Sequence, residues 1–185
     1  MDMIQNQVFA TFPTNADLYS ADIAPMVNYV ITRYGQAEWR ATVLTNELHG
    51  HLGIYATIGV KMGIYACEML NHPHQVRVVS FAGEKPPVSC LNDGLQISTG
   101  ATVGHGLISV ERGASARPEA EFITEEQRLR LRLKSDYAAR ISDDVNYGVK
   151  TYGTKSPRYW AYIRHLAIEY WQTFDRHDIF EVVSA

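Results

Sequence analysis

The chain has 185 residues, of which 46% are hydrophobic and 20% are charged, enough for one soluble domain with a real core. Its net charge of −3 argues against a nucleic-acid-binding protein. Its 2 cysteines are too few for a disulfide framework, and their spacing is not that of a zinc module.

The start of the chain has no basic segment followed by a long apolar run, so no secretory signal is predicted. The longest apolar stretch, at about 53–70, contains Lys61 and Glu68 and is too short to span a bilayer. We therefore expect a cytoplasmic protein with neither a membrane nor a nucleic-acid partner.

The N-terminal part of the chain predicts a lead-in followed by one helix. Residues 1–19 show no regular pattern. Ser20 or Asp22 can cap a helix, and Gly35 is a suitable place for that helix to end. Between these points apolar residues recur at helical spacing: Ile23, Met26, Val27, Val30, Ile31 and Tyr34.

A second helix is predicted from Leu52 to about Leu70, where apolar residues recur every three or four positions. Gly59 and Gly63 lie on one side of it, and each costs about 1 kcal/mol of helix propensity relative to alanine. We expect that cost to be offset by another element that packs closely against the glycines.

The middle of the chain predicts short elements, with strands at 76–81 and 107–110 and a short helix from about Ser89 to Ile97. The backbone amides of the glycine-rich segment 98–106 could cradle an anion. The segment lacks the P-loop and dinucleotide patterns, so a tight turn is the favoured interpretation. Residues 111–118 are predicted to form a loop.

The strongest strand signal is the stretch 128–134, where leucines alternate with cations. A solvated sheet face explains these cations better than a binding surface does. Ser135 and Asp136 can then cap a helix that continues to about Tyr147, followed by a polar loop at 148–156.

Pro157 can open a final helix, and residues 179–183 predict an edge strand. Core packing explains the aromatic residues of this helix better than burial against a partner does: Trp160, Tyr170, Trp171 and Phe174. Because helices and strands interleave along the whole chain, we expect a single α/β or α+β domain.

Two histidines, His49 and His51, flank Gly50 just before the second predicted helix. In an extended or turning segment their side chains point the same way, and Gly50 permits a tight bend. A helix start beside them favours the neutral imidazole, which is the form that binds metals. Taken alone, the pair is better explained as a helix entry whose histidines bond to the backbone.

Cys90 is predicted at the first turn of a helix, where backbone amides stabilise a thiolate. A small buried apolar residue is the alternative, and Cys67 is assigned to such packing. Together with His49 and His51, Cys90 would give three ligands and one open position, as in a catalytic zinc site. Five residues are candidates for supporting hydrogen bonds: Lys85, Asn92, Asp93, Gln96 and Thr99. The remaining histidines have no evident partner: His72, His74, His165 and His177.

Two blocks of the sequence resemble the FmdE family, which is named after formylmethanofuran dehydrogenase. Residues 47–55 and 59–63 are similar to its opening block, where a His-Gly-His-Leu motif precedes a Gly-Tyr-Arg-Met-Gly segment. Residues 86–96 and 98–104 resemble its second block. The resemblance covers about 44–110 and includes the order and spacing of both blocks.

The resemblance implies an α+β fold with a thioredoxin-like mixed sheet flanked by helices, often dimeric, and a site near His49, His51 and Cys90 that can hold zinc. It corresponds to one domain over 1–185, with a motif-bearing core at about 44–134 and C-terminal helices at about 135–185. The sequence departs from the family at three points: it has Gly53 where many members have cysteine, His105 where many have a basic residue, and no cysteine after Cys90, so the family's C-terminal zinc finger is not expected.

Three functional hypotheses remain. The first is a protein that binds zinc or another divalent transition metal through His49, His51 and Cys90, as an accessory to a redox or one-carbon pathway. The second is an enzyme or sulfur carrier in which Cys90 is the thiolate nucleophile and His51 the base. The third is a non-catalytic protein that forms a homodimer. A small-molecule ligand in a cleft is compatible with each.

Overall fold

A computed structural model describes residues 8–112 and 115–183, so the predictions made for 1–7 and 113–114 lie outside the described residues. Short 3-10 turns at Ala16–Leu18 and Ala24–Met26 lead into the first helix. The helices are α1 Val27–His49, α2 Ile54–Met69, α3 Leu91–Thr99, α4 Ser135–Tyr152, α5 Pro157–Thr173 and α6 Arg176–Ile179. The strands are β1 Arg77–Ser80, β2 Ile108–Val110, β3 Glu119–Ile123, β4 Arg128–Leu133 and β5 Phe180–Val182. Within the described ranges, no helix has the length and apolar character needed to cross a bilayer.

The five strands form one mixed sheet in the order β2-β1-β3-β4-β5. β1 and β2 are parallel and are joined through α3, whereas the other neighbours are antiparallel. The predicted α+β class with a mixed sheet and flanking helices is therefore confirmed. The thioredoxin-like arrangement implied by the resemblance stays a prediction.

β4 shows the alternation that its sequence predicts. Its leucines are buried against the helices, and its arginines lie on the opposite face. On that outer face the buried Glu119 carboxylate accepts hydrogen bonds from Arg117 at 2.8 Å and from Arg130 at 2.5 Å. Arg132 pairs with Glu181 at 2.9 Å. Because the cations are balanced by glutamates, the face is charge-paired, which favours the solvated interpretation over a binding surface.

α2 and α3 cross at very short range through their glycines, as the glycine spacing of α2 predicts. A Cβ on Gly59 would lie 2.2 Å from the carbonyl oxygen of Leu91, and one on Gly94 would lie 2.2 Å from that of Ala56. Gly63 is equally crowded by Ser98. This crossing fixes the start of α3 against α2, so it determines where Cys90 and Asp93 lie.

Gly59→Ala is expected to lower the free energy of unfolding by about 1–3 kcal/mol, since the added methyl group meets backbone rather than a movable side chain. Urea denaturation followed by circular dichroism measures the loss. Gly104→Ala is the control, because its nearest contact would be 3.8 Å away. Equal stabilities for the two variants would contradict the close crossing.

One predicted helix end is confirmed and another is wrong. The first helical stretch ends at Gly35 as predicted, because φ of 88° and ψ of 163° leave the helical region there, and a second helical stretch within α1 then runs on to His49. α4 does not end near Tyr147 but runs to Tyr152. Gly148 is buried inside α4 because Tyr162 of α5 packs on it, where a Cβ would lie 2.6 Å from the ring.

A buried ion network joins α1, α2 and α6. Lys61 Nζ lies 2.6 Å from Glu38 Oε1, and Arg176 Nη1 lies 3.0 Å from Glu38 Oε2. Arg176 also pairs with Glu68 at 2.7 Å, which His177 contacts at 3.2 Å. The charge of Lys61 therefore lies inside the protein, paired with Glu38, and is not exposed to solvent. It completes a network that holds α1 on α2.

Candidate functional site

The His-Gly-His segment is the link between α1 and α2. His49 is the last residue of α1 rather than part of an extended segment. Gly50 takes the left-handed conformation, with φ of 78°, that commonly ends a helix. Asn46 fixes the entry into α2, because its Oδ1 accepts a hydrogen bond of 2.8 Å from the amide of Gly53. The two histidines therefore lie on a short, well-bonded turn.

The imidazole of His49 is oriented by a carboxylate. Its Nδ1 lies 2.7 Å from Oδ2 of Asp93, which belongs to the first turn of α3. An ionised carboxylate only accepts, so Nδ1 carries the proton, and in the neutral ring Nε2 presents its lone pair. Nε2 is buried and has no hydrogen-bond partner among the described residues. A carboxylate on one ring nitrogen and a free second nitrogen is the arrangement found in metal-ligating histidines.

Gly53 lies against the free nitrogen of His49. A Cβ at this position would be 3.1 Å from Nε2 and 3.0 Å from Cδ2 of His49. Many members of the FmdE family, which this sequence resembles, have cysteine at this position. Because Gly53 has no side chain, residue 53 offers no ligand atom to this nitrogen.

His51 lies beside His49, with 4.4 Å between the ring centroids. Its ring also meets that of Trp160 edge-on at 5.4 Å. Partial burial, and then the neighbouring His49, lower the pKa of His51. His51 is thus neutral at neutral pH, which is the form in which imidazole binds metals.

Cys90 lies one turn before Asp93, in the 3-10 turn Val88–Cys90 that leads into α3. Burial, and then the nearby Asp93 carboxylate, raise the pKa of the Cys90 thiol. This direction is opposite to the thiolate stabilisation expected of a helix start. The Asp93 carboxylate thus contacts His49 and also disfavours the Cys90 thiolate. Within the described ranges, however, no three His, Cys, Asp or Glu side chains are grouped closely enough to hold a metal ion.

Of the five supporting candidates, Asp93 is the one that bonds to a site residue. Asn92 instead anchors α3 to the end of β1, through Ser80 at 2.5 Å and the Gly83 carbonyl at 3.0 Å. Gln96 accepts a hydrogen bond from the amide of Val103 at 3.1 Å, which supports the tight turn at 98–106.

The remaining candidates lie away from the His pair. The Thr99 hydroxyl donates to the carbonyl of Leu95 at 2.6 Å. Lys85 is exposed. Burial raises the pKa of Cys67 to about 11, in keeping with its assignment to packing.

The aromatic residues of the last helix divide into two sets. Tyr170, Trp171 and Phe174 are buried in the core, as predicted. Trp160 is 45% exposed and covers His51. The sequence reasoning missed the part that Asn46 and Trp160 play at the site. The hydrogen bond between Asn46 and Gly53 is local, and an asparagine shortly before a predicted helix could have suggested it. The contact between Trp160 and His51 joins residues more than a hundred positions apart, so no local sequence pattern indicates it.

Comparison with known proteins places this chain in a family. The family model FmdE, described as molybdenum formylmethanofuran dehydrogenase operon, matches residues 48–180. No curated protein matches the chain. Among solved structures, a tungsten formylmethanofuran dehydrogenase FmdE-like protein from Syntrophus aciditrophicus is similar, with a TM-score of 0.46 and 20% identity, covering 95% of this chain and 77% of that one. Because the family match spans well over half of its length, the chain belongs to the FmdE family.

Proposed function

We propose that this FmdE-family protein binds a divalent transition metal, with zinc as the first choice, through His49 and His51, and that Cys90 is the third protein ligand. The observation that carries the proposal is the buried Nε2 of His49, which lacks a partner among the described residues while Asp93 holds the opposite nitrogen at 2.7 Å. A buried nitrogen without a partner costs about 1–3 kcal/mol. A metal ion at Nε2 would remove that cost.

The donor types fit zinc, but the three donors are not assembled in the described structure. His49 is oriented by Asp93, and the ring of His51 lies between those of His49 and Trp160. Cys90 lies one turn before Asp93, the residue that holds His49. A bound metal would lower the pKa of the thiol and so favour the ligating thiolate. It would act as a Lewis acid toward a molecule at the open position.

We further propose an accessory role in a redox or one-carbon pathway. The support is family membership, since the family is described by the operon of a molybdenum formylmethanofuran dehydrogenase. The present chain carries no molybdopterin or iron–sulfur signature in its sequence. An accessory protein of such an enzyme therefore suits it better than the redox component itself.

Protein purified without a histidine tag is expected to hold about one metal ion per chain, and His49→Ala, His51→Ala and Cys90→Ala should each lose most of it. Elemental analysis by mass spectrometry gives the ratio. His74→Ala is the control, because His74 is exposed and away from the site, and it should retain the metal. Full retention in all three site variants would refute the proposal.

The thiol-dependent alternative, with Cys90 as nucleophile and His51 as base, has less support. The raised pKa of Cys90 keeps the free thiol protonated near neutral pH. A metal at the site would reverse that. The homodimer stays a prediction, for which the exposed Trp160 at the edge of the site is a candidate contact.

A further inference from the structure

A cavity of about 400 Å³ opens beside His51, and its lining comes from α1, α5, the link between α1 and α2, and residues 18–23. Its size is within the range of small-molecule sites. Its polar and aromatic lining includes Tyr19, Thr42, Asn46, His51, Arg164 and Trp171. A second, more apolar cavity of about 380 Å³ shares His51 and Arg164 with it and continues to Trp160. His51 therefore stands between two adjoining spaces.

Two residues that line the larger cavity carry polar atoms without partners. Thr42 is 0% exposed and Trp171 is 2% exposed. The Thr42 hydroxyl oxygen and the Trp171 indole nitrogen are buried and make no hydrogen bond within the described chain. An indole N–H can only donate, and a hydroxyl can donate as well. Two residues of the lining therefore carry buried hydrogen-bond donors that lack an acceptor among the described residues.

The charges around the cavity do not favour an anion. Arg164 is already bound by Asp22, with Nε 2.6 Å from Oδ2 and Nη2 2.9 Å from Oδ1. The exposed Glu47 adds a negative charge to the lining. The acceptor that fits the buried donors is thus an uncharged one.

We propose that this cavity binds an uncharged small molecule whose carbonyl oxygen, as in an amide or a ketone, accepts hydrogen bonds from Trp171 and Thr42. Its apolar or aromatic body packs against Ile23 and Leu52, which also line the cavity. Both donor atoms are closed off from solvent, so the carbonyl reaches them when the neighbouring side chains move slightly apart. The proposal goes beyond the metal site and does not require a bound metal.

The test is a titration of the full chain with benzamide and, separately, with benzoate, in the presence of a chelator. NMR resolves the indole N–H signals of the three tryptophans, and Trp171→Phe assigns the signal of Trp171. Benzamide is expected to shift the Trp171 signal saturably and to bind at least about ten-fold more tightly than benzoate. Equal or tighter binding of benzoate, or no shift of the Trp171 signal by benzamide, would overturn the proposal.

Thr42→Val is expected to weaken benzamide binding about five- to ten-fold, the effect of one hydrogen bond. Thr45→Val is the matched control, because Thr45 is equally buried and also has an unpartnered hydroxyl among the described residues but does not line the cavity. It should bind benzamide like the parent chain. Thr42→Ser, which keeps the hydroxyl, should restore affinity. Indistinguishable affinities for the two valine variants would show that the Thr42 hydroxyl does not contact the ligand.

Discussion

Glu38→Gln is expected to lower the free energy of unfolding by about 3–5 kcal/mol, the loss typical of breaking a buried ion pair. Glu38 is fully buried and serves two cations, Lys61 at 2.6 Å and Arg176 at 3.0 Å. Glutamine would leave both cations without their shared counter-charge, and its amide would turn a donor toward one of them. Equilibrium urea denaturation measures the change.

Lys61→Met is the informative comparison, since it removes one cation and leaves Glu38 paired with Arg176. Methionine also fills much of the volume of the lysine stem, so the expected loss is clearly smaller than for Glu38→Gln. If Lys61→Met proved as destabilising as Glu38→Gln, the idea that one carboxylate neutralises two cations would be wrong.

The pH dependence gives a second readout of the same network. Burial lowers the pKa of Lys61 below its usual 10.5, and Glu38 opposes that shift. Between the folded and unfolded pKa values the unfolded chain binds more protons, so stability rises with pH across that interval. Glu38→Gln removes the carboxylate that opposes the shift, so it lowers the folded-state pKa of Lys61 further and widens the interval between the two pKa values. Its deficit relative to the parent chain should therefore shrink as the pH rises toward the usual pKa of lysine, which urea denaturation at a series of pH values measures.

Asp93→Asn is expected to weaken metal binding about 10–100-fold, the usual cost of removing the partner of a ligating histidine. Asp93 holds the proton of His49 on Nδ1 and so presents Nε2 to the metal. An asparagine amide can occupy the same space but can hold the other tautomer equally well. Competition with a chromophoric chelator gives the affinity.

Asp143→Asn is the control for this prediction, because Asp143 is an exposed carboxylate on α4. It should bind metal like the parent chain. An Asp93→Asn variant with unchanged affinity would mean that the contact between Asp93 and His49 is structural and does not orient a ligand.

Much of the fold could be predicted from local patterns. The alternation in β4 and the glycine spacing in α2 have direct physical causes, one in the pleat of a strand and the other in a close helix crossing. The end of α4 could not be predicted. A glycine is tolerated inside α4 at Gly148 because the ring of Tyr162 packs on it and leaves no room for a side chain. No sequence pattern near Gly148 indicates that contact.

The candidate site was accessible to sequence reasoning in part. The His-Gly-His motif indicated the link between α1 and α2 as a candidate site. Asp93 was one of the predicted supporting residues, and in the structure it contacts His49. The ion network was not accessible, because Arg176 meets Glu38 across most of the chain. The Thr42 hydroxyl has no hydrogen-bond partner among the described residues because of how the core packs around it. No sequence pattern indicates which buried donors lack a partner.

X-ray absorption spectroscopy of the zinc-loaded chain shows whether His49, His51 and Cys90 bind one metal ion together. We expect one sulfur scatterer at about 2.3 Å and two nitrogen scatterers at about 2.0–2.1 Å from the zinc. In Cys90→Ala the sulfur contribution should disappear while nitrogen scatterers remain. A spectrum of the parent chain without sulfur, or one that is identical in Cys90→Ala, would show that Cys90 is not a ligand of the metal.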